Sequence, residues 1–286
     1  MLRRKTSGSV VCPSCGSLVG VNDERCYTCG RANPSLWGFA PALRSLGSDL
    51  GFVPLVVGGS AVLYVFTLLA SGSGLQIMGG GFNILAPSAP ALLAFGASGS
   101  YPVFQLGSWW TVLSATWLHG SFLHILFNMM WVRDIGPSTA DVIGPGRTII
   151  IYVVSGVCGF LLSSAASVYL PPLPLLRGAQ LTVGASASIF GLLGALVHYG
   201  RKSGSSYVHA QAKQWALIMF IYGLIMPGID NFAHAGGFIG GYVTSAFFNP
   251  LTREKGDHLI VAAILLLMTF AAIAMSVFEG WTFLTM

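Results

Sequence analysis

Charge is what this chain lacks. Only 8% of its 286 residues are Asp, Glu, Lys or Arg, where soluble proteins carry about 25%. With so little charge and 54% hydrophobic residues, a water-soluble domain is excluded and an integral membrane protein is indicated. The 14 basic residues are scattered between apolar runs, so the net charge of +5 does not point to nucleic acid. Alternating strands of the outer-membrane type are missing as well. The apolar runs are continuous, which selects helices over a barrel. A secretory leader is not expected behind Met1, because the first fifty residues are polar, Gly-rich and broken by charge. There is no fixed-period repeat and no low-complexity tract beyond Gly-rich loop sequence. Cysteine is rare, five in all, yet four of the five precede residue 30. The fifth, Cys158, lies in an apolar run and is expected to be a small packing residue.

What is present is a series of seven apolar segments, at about 52–71, 120–136, 147–170, 184–200, 213–228, 231–249 and 259–279. Some fall short of the ~20 residues of a full span. Helices that begin below the surface, beside a water-filled cavity, would account for that. The basic residues then set topology. Arg3, Arg4, Lys5, Arg25, Arg31 and Arg44 precede the first span, and Arg133 and Arg147 fall between the second and third. Arg201, Lys202 and Lys213 separate the fourth from the fifth, and Arg253 and Lys255 the sixth from the seventh. Arg177 alone falls on the other side, so thirteen of 14 positive charges share one face, which the positive-inside rule makes cytoplasmic. The N-terminus is expected inside and the C-terminus outside, in a bacterial inner (plasma) membrane.

Spans two, four and six then all begin at the outer face. His119, His124 and Asn128 open the second, Gly184 and Ser186 the fourth, and His234 the sixth. Residues far apart in sequence thus share one depth, where polar side chains are costly and functional by default. A serine hydroxyl needs a base to take its proton, usually histidine, and the resulting oxyanion needs donors aimed at it. His124 and Asn128, spaced i, i+4, lie on one helical face and can both serve one cavity. No acidic residue is placed to orient His234. Asp230 stands one turn earlier as a boundary residue, so a Ser–His dyad is expected. Ser186 alone would more often bond its own helix backbone; the joint pattern is what carries weight. Gly236/Gly240 and Gly237/Gly241 form two small-xxx-small pairs after His234, surfaces on which helix backbones approach closely. The uncharged stretch 72–118, with Gly79-Gly80-Gly81, is expected to lie partly in the outer leaflet, with Trp109, Trp110 and Trp117 near headgroup level.

The run His119-Gly-Ser-Phe-Leu-His124-Ile-Leu-Phe-Asn128, then Gly184-Ala-Ser186, then His234-Ala-Gly-Gly237 with Gly241, resembles the rhomboid intramembrane serine proteases over roughly residues 50–250. The resemblance implies Ser186 as nucleophile and His234 as general base, with His124, Asn128 and the Ser186 backbone N–H forming the oxyanion hole. It implies further that His119 sits at the mouth of the site, that Phe190 packs on the histidine ring, and that Gly184 and Gly237 line the site. One departure is Trp110-Thr111, where the family usually has Trp-Arg to brace the first loop.

Cys12-Pro-Ser-Cys15 and Cys26-Tyr-Thr-Cys29 are two CxxC knuckles separated by ten residues. Four thiolates at this spacing suit a tetrahedral, structural Zn2+; disulfides are disfavoured for an end placed in the reducing cytoplasm. The unit resembles a zinc ribbon, serving substrate recruitment, a cytoplasmic protein partner, or stability alone. The expected architecture is an all-α polytopic membrane protein: a zinc-ribbon-like segment at 1–35, a linker at 36–50, a six-helix rhomboid-like core at 51–250, and a seventh C-terminal transmembrane helix within 251–286. Catalysis is expected to need no cofactor, and the expected partners are transmembrane protein substrates and the lipid bilayer. A non-proteolytic relative that binds membrane helices for transport or quality control is the alternative. A proton or small-solute transporter using the histidines would need acidic or broken-helix sites near mid-membrane, and none is evident.

Overall fold

The computed structural model describes residues 4–13, 15–78, 84–171, 176–226, 228–252 and 254–285. The stretch Gly79-Gly80-Gly81 lies outside them. The N-terminal hairpin pairs β1 (Ser9–Val11) with β2 (Leu18–Gly20), and a short helix α1 (Ala40–Arg44) follows. Then come α2 (Phe52–Ala70), a hairpin of β3 (Gln76–Met78) and β4 (Ile84–Ala86), and the short helices α3 (Ala89–Ala94) and α4 (Thr111–Ser114). A single π turn at Tyr101–Gln105 separates α3 from α4, and a 3-10 turn at Ala115–Trp117 follows them. The remaining helices are α5 (Phe122–Ile143), α6 (Pro145–Tyr169), α7 (Ser186–Ser203), α8 (Ser206–Ile225), α9 (Asn231–Phe247) and α10 (Gly256–Thr285).

Among the described residues, seven long helices thus stand where the seven apolar runs lie. α2, α6 and α10 are long and apolar enough to cross a membrane, at mean hydropathies of 2.1, 2.1 and 2.6. The others are shorter or more polar for a physical reason. α7 buries twelve of its 18 residues against neighbouring helices, so it needs no lipid-facing stripe. It stands at the centre, packed against α5, α6, α8 and α9, while α2 lies against α5 and α10 against α6, α3 and α4.

Two boundaries differ from expectation. α5 continues through Arg133 and Asp134 to Ile143, and α8 starts at Ser206, so Lys213 is helical. Ser205 sets the latter start by accepting the Val208 N–H at 3.4 Å. Arg147 is not in a loop: it occupies the first turn of α6 and is 2% exposed. Its side chain donates to the carbonyls of Thr252 at 2.8 Å and Asn249 at 3.2 Å and to His258 Nδ1 at 3.2 Å, and its backbone N–H to Glu254 Oε1 at 2.7 Å. One buried guanidinium therefore fixes the turn that leads into α10.

The uncharged stretch is a chain of small elements rather than one loop. Trp109 is exposed, but Trp117 is 2% exposed and packs on Phe270 of α10 with ring centroids 5.3 Å apart. Its indole fills a space left by Gly59 of α2, where a Cβ would come within 2.8 Å of the ring. Trp117 is a core residue and not a headgroup anchor.

Glycine sets the central packing. A methyl group on Gly237 would sit on the Ala187 carbonyl oxygen, and one on Gly241 on the Gly191 carbonyl oxygen. That stripe joins α9 to α7. The second pair, Gly236 and Gly240, faces α6 instead, where an added Cβ would come within 2.8 and 2.7 Å of Cys158. Cys158 is thus a packing residue, as expected. Gly241→Leu should push α9 away from α7 at a cost of about 1–3 kcal/mol, read as a lowered thermal midpoint of the purified protein. An unchanged midpoint would show that the glycine contact does not limit packing.

Candidate functional site

α7 begins at Ser186 and α9 at Asn231, and the two starts meet. The backbone before Ser186 is bent by Gly184 at φ 128°, a conformation in which a side chain is strained. A Cβ there would also lie 2.7 Å from His124 Nε2. Asp230 caps α9, accepting the Ala233 N–H at 3.0 Å, and takes a hydrogen bond from Ser163 of α6 at 2.6 Å. It is the boundary residue the sequence suggests.

One turn into α9, His234 is 5% exposed, and its Nε2 lies 3.0 Å from Ser186 Oγ. Phe190 stacks on the imidazole at 4.2 Å with an interplanar angle of 16°. The ring's other nitrogen, Nδ1, lies 3.1 Å from Asn231 Oδ1. With that carbonyl oxygen as the acceptor, Nδ1 carries the proton and Nε2 presents a lone pair to the serine hydroxyl. Asn231 is the site residue that sequence reading missed. Its spacing of three from His234 places both on one helical face, the available signal. Gly223 of α8 makes the room, since a Cβ there would meet the Asn231 carboxamide.

His124 stands on the opposite wall. Its Nδ1 accepts the Gly120 N–H at 3.3 Å, which leaves Nε2 as the protonated nitrogen, facing Gly184 two residues before Ser186. Asn128 donates one amide hydrogen to the His124 carbonyl at 2.8 Å, keeping a second for another acceptor. His119 is fully buried and meets the His124 ring edge-on at 5.1 Å. It is enclosed and not at a mouth. Ser186 is half-buried, so the hydroxyl remains reachable. Thr111 closes its own turn by donating to the Ser108 carbonyl at 2.7 Å.

The cysteines form a second candidate site. All four sulfurs lie within 4.8 Å of one another, with Cys15 and Cys26 Sγ 3.4 Å apart and Cys12 and Cys29 Sγ 3.9 Å apart. A tetrahedral zinc at about 2.3 Å from each sulfur requires edges of about 3.8 Å, so the donor set fits. These separations are far from the ~2.05 Å of a disulfide. The two knuckles repeat one backbone pattern. Gly16 donates to the Cys12 carbonyl at 2.9 Å and Gly30 to that of Cys26 at 2.8 Å, at φ 74° and 71°. Hydrogen bonds from Ser17 draw the Cys15 thiol down to about 6, whereas the Cys29 thiol, despite a lowering hydrogen bond from the Arg31 backbone, is pushed up to about 11 by burial and the neighbouring sulfurs.

A bundle of apolar helices with a serine and a histidine in contact near two helix starts defines a polytopic membrane protein. The chain belongs to the rhomboid family: the Rhomboid domain matches residues 106–251. It is 31% identical over 196 residues to the rhomboid protease GluP of Bacillus subtilis, covering 67% of this chain and 35% of that protein. RHOMBOID-like protein 5 of Arabidopsis thaliana is 34% identical over 163 residues, 56% of this chain and 50% of its own length. Inactive RHOMBOID-like protein 8 of the same plant is 28% identical over 178 residues, 60% of this chain and 48% of its own length. The chain thus spans between a third and a half of the length of these relatives. The family match begins after the cysteine unit, and nothing in these comparisons supports a cytoplasmic partner for it.

The purified protein should carry about one zinc ion per chain, and Cys12→Ser should lower that content in metal analysis while the helical circular dichroism signal persists. Full metal content in the variant would remove the four-cysteine assignment.

Proposed function

We propose that this chain is an intramembrane serine endopeptidase that cuts a transmembrane segment of another protein near the outer face. The observation that carries the reading is the 3.0 Å approach of His234 Nε2 to Ser186 Oγ. In this reading His234 takes the serine proton as Oγ attacks the scissile carbonyl, and an acyl-enzyme forms as the leaving amine takes that proton. Water then attacks the ester, again with His234 as base. Asn231 holds the imidazole in the tautomer this requires, which extends the expected dyad by a third residue.

The oxyanion would be met by the Nε2–H of His124, the second amide hydrogen of Asn128 and the backbone N–H of Ser186. As the first residue of α7, Ser186 has no intrahelical acceptor for that N–H, and the positive end of the helix dipole lies there. Hydrolysis needs water, which the half-buried serine must receive from the face at which α5, α7 and α9 begin. The distribution of basic residues supports that face as the outer one, and the apolar helices support a bilayer location. A substrate helix has its own carbonyls paired, so it must unwind locally before its scissile bond meets Ser186. The cysteine unit would hold a structural Zn2+ on the cytoplasmic side.

Ser186→Ala should abolish cleavage of a single-span model substrate in vesicles without lowering expression; retained cleavage would sink the assignment. A wild-type chain that binds such a helix, cuts none and resists a fluorophosphonate would be a non-proteolytic member of the family. Asn231→Ala should lower kcat/KM about tenfold, the effect of roughly one lost hydrogen bond on the transition state, with KM little changed. An unchanged kcat would return the site to a dyad.

A further inference from the structure

The outer connection between α2 and α5 is built from pieces that cannot hold themselves. α3 has 6 residues, α4 has 4 and the 3-10 turn has 3, well below the ~12–15 at which an isolated helix becomes even marginal. They are docked by α10. Gly280 of α10 packs directly on the Ala94 backbone, with no room for a side chain. One turn earlier, Ser276 gives its proton to the Ala272 carbonyl at 2.9 Å and accepts the indole N–H of Trp110 at 3.1 Å. Gly96 lies beneath Ser276 and Ser114, and Ser114 donates to the Gly96 carbonyl at 2.7 Å. Further along, Phe270 covers Trp117.

The docked segment continues to the serine. The Ala115 carbonyl accepts the Gly184 N–H at 2.9 Å, and Thr116 Oγ1 lies 3.0 Å from Ser188 Oγ. Ser98 and Thr182 exchange two backbone hydrogen bonds, at 3.0 and 2.7 Å. Residues on both sides of Ser186 are therefore held by 98–116, which α10 holds in turn. The other end of α10 is fixed by buried Arg147 through Glu254 and His258.

We propose that α10 is a positioning element of the serine site: it splints residues 94–117, and through them sets the backbone that aims Ser186 at His234. The proposal rests on Ser186 being the nucleophile. No residue of α10 touches the reacting atoms, and its effect passes through Trp110 and Ala115. The prediction is that serine reactivity depends on a hydrogen bond between a loop tryptophan and the seventh helix.

The test is the rate at which a fluorophosphonate labels the full-length protein in lipid vesicles. It is read at a temperature where circular dichroism shows every variant folded, so that lowered stability alone does not register. Trp110→Phe keeps the ring and deletes the donor, Ser276→Ala deletes the acceptor, and Ser276→Thr keeps it. Each deletion should slow labelling about threefold, the factor expected for one interhelical hydrogen bond in a membrane. The double variant should be no slower than either single one, because the two deletions remove the same bond, and Ser276→Thr should label at the wild-type rate. Wild-type rates in both deletions, or additive losses in the double variant, would overturn the splint while Ser186-dependent labelling stands. Wild-type labelling that Ser186→Ala fails to remove would overturn the nucleophile reading, and the splint with it.

Discussion

Hydrocarbon supplies no hydrophobic drive to bring one apolar helix to another, so close packing and internal hydrogen bonds must do it. In this protein that constraint falls on the seam between α7 and α9. Gly237 and Gly241 lie against the carbonyls of Ala187 and Gly191 with no space for a methyl group. A serine hydroxyl extends only one atom beyond Cβ. It reaches a histidine on another helix only if the backbones themselves nearly touch. The 3.0 Å separation of Ser186 and His234 is therefore a consequence of glycine several residues away. The second glycine stripe of α9, which packs against α6, stops α9 from turning about its own axis and carrying His234 out of line.

The polar groups obey the same constraint from the other side. Each costs free energy in an apolar surround unless it is paired, and several of the pairs made here join elements distant in sequence. Asp230 caps its own helix and takes the Ser163 hydroxyl of α6, while the same hydroxyl accepts the Ala179 N–H at 3.0 Å. His198 of α7 pairs with Ser245 of α9 at 2.9 Å, near the far end of the seam that Ser186 and His234 begin. The seam is thus polar at each end, with glycines set against backbone carbonyls between. That arrangement fixes register as well as distance, because a shift of one residue would break both pairs.

Much of this is legible in the chain because periodic and charge signals survive folding. Seven apolar runs become seven long helices among the described residues, and His124, Ser186 and His234, singled out on three different runs, come to one place. What escaped is local. Asn231 directly follows Asp230, the charged cap of α9, and a single amide at a helix start carries no period or charge signal of its own. The small elements between α2 and α5 contain 3 to 6 residues each, too few for any period to show. Trp117 was misplaced because interfacial enrichment of tryptophan is a statement about composition. The burial of this one is set by Gly59 and by Phe270, more than 150 residues further on in sequence. His119 was misplaced likewise, since a motif fixes order along the chain and not depth within it.

The cysteine unit solves a different problem with a related device. Its core contains Val10, Val19 and Val21 beside the buried Cys12 and Cys26, far less apolar surface than an independent domain of this size needs. Chain entropy must therefore be offset by a few strong bonds, and four converging sulfurs are positioned to make them to one ion. The glycines after each knuckle permit the turn that converges them, as Gly184 permits the turn that delivers Ser186. In both units a residue without a side chain sets where a reactive atom points. The cysteine unit and the α7–α9 seam belong to separate apolar clusters, so loss of metal should leave the contact between Ser186 and His234 in place.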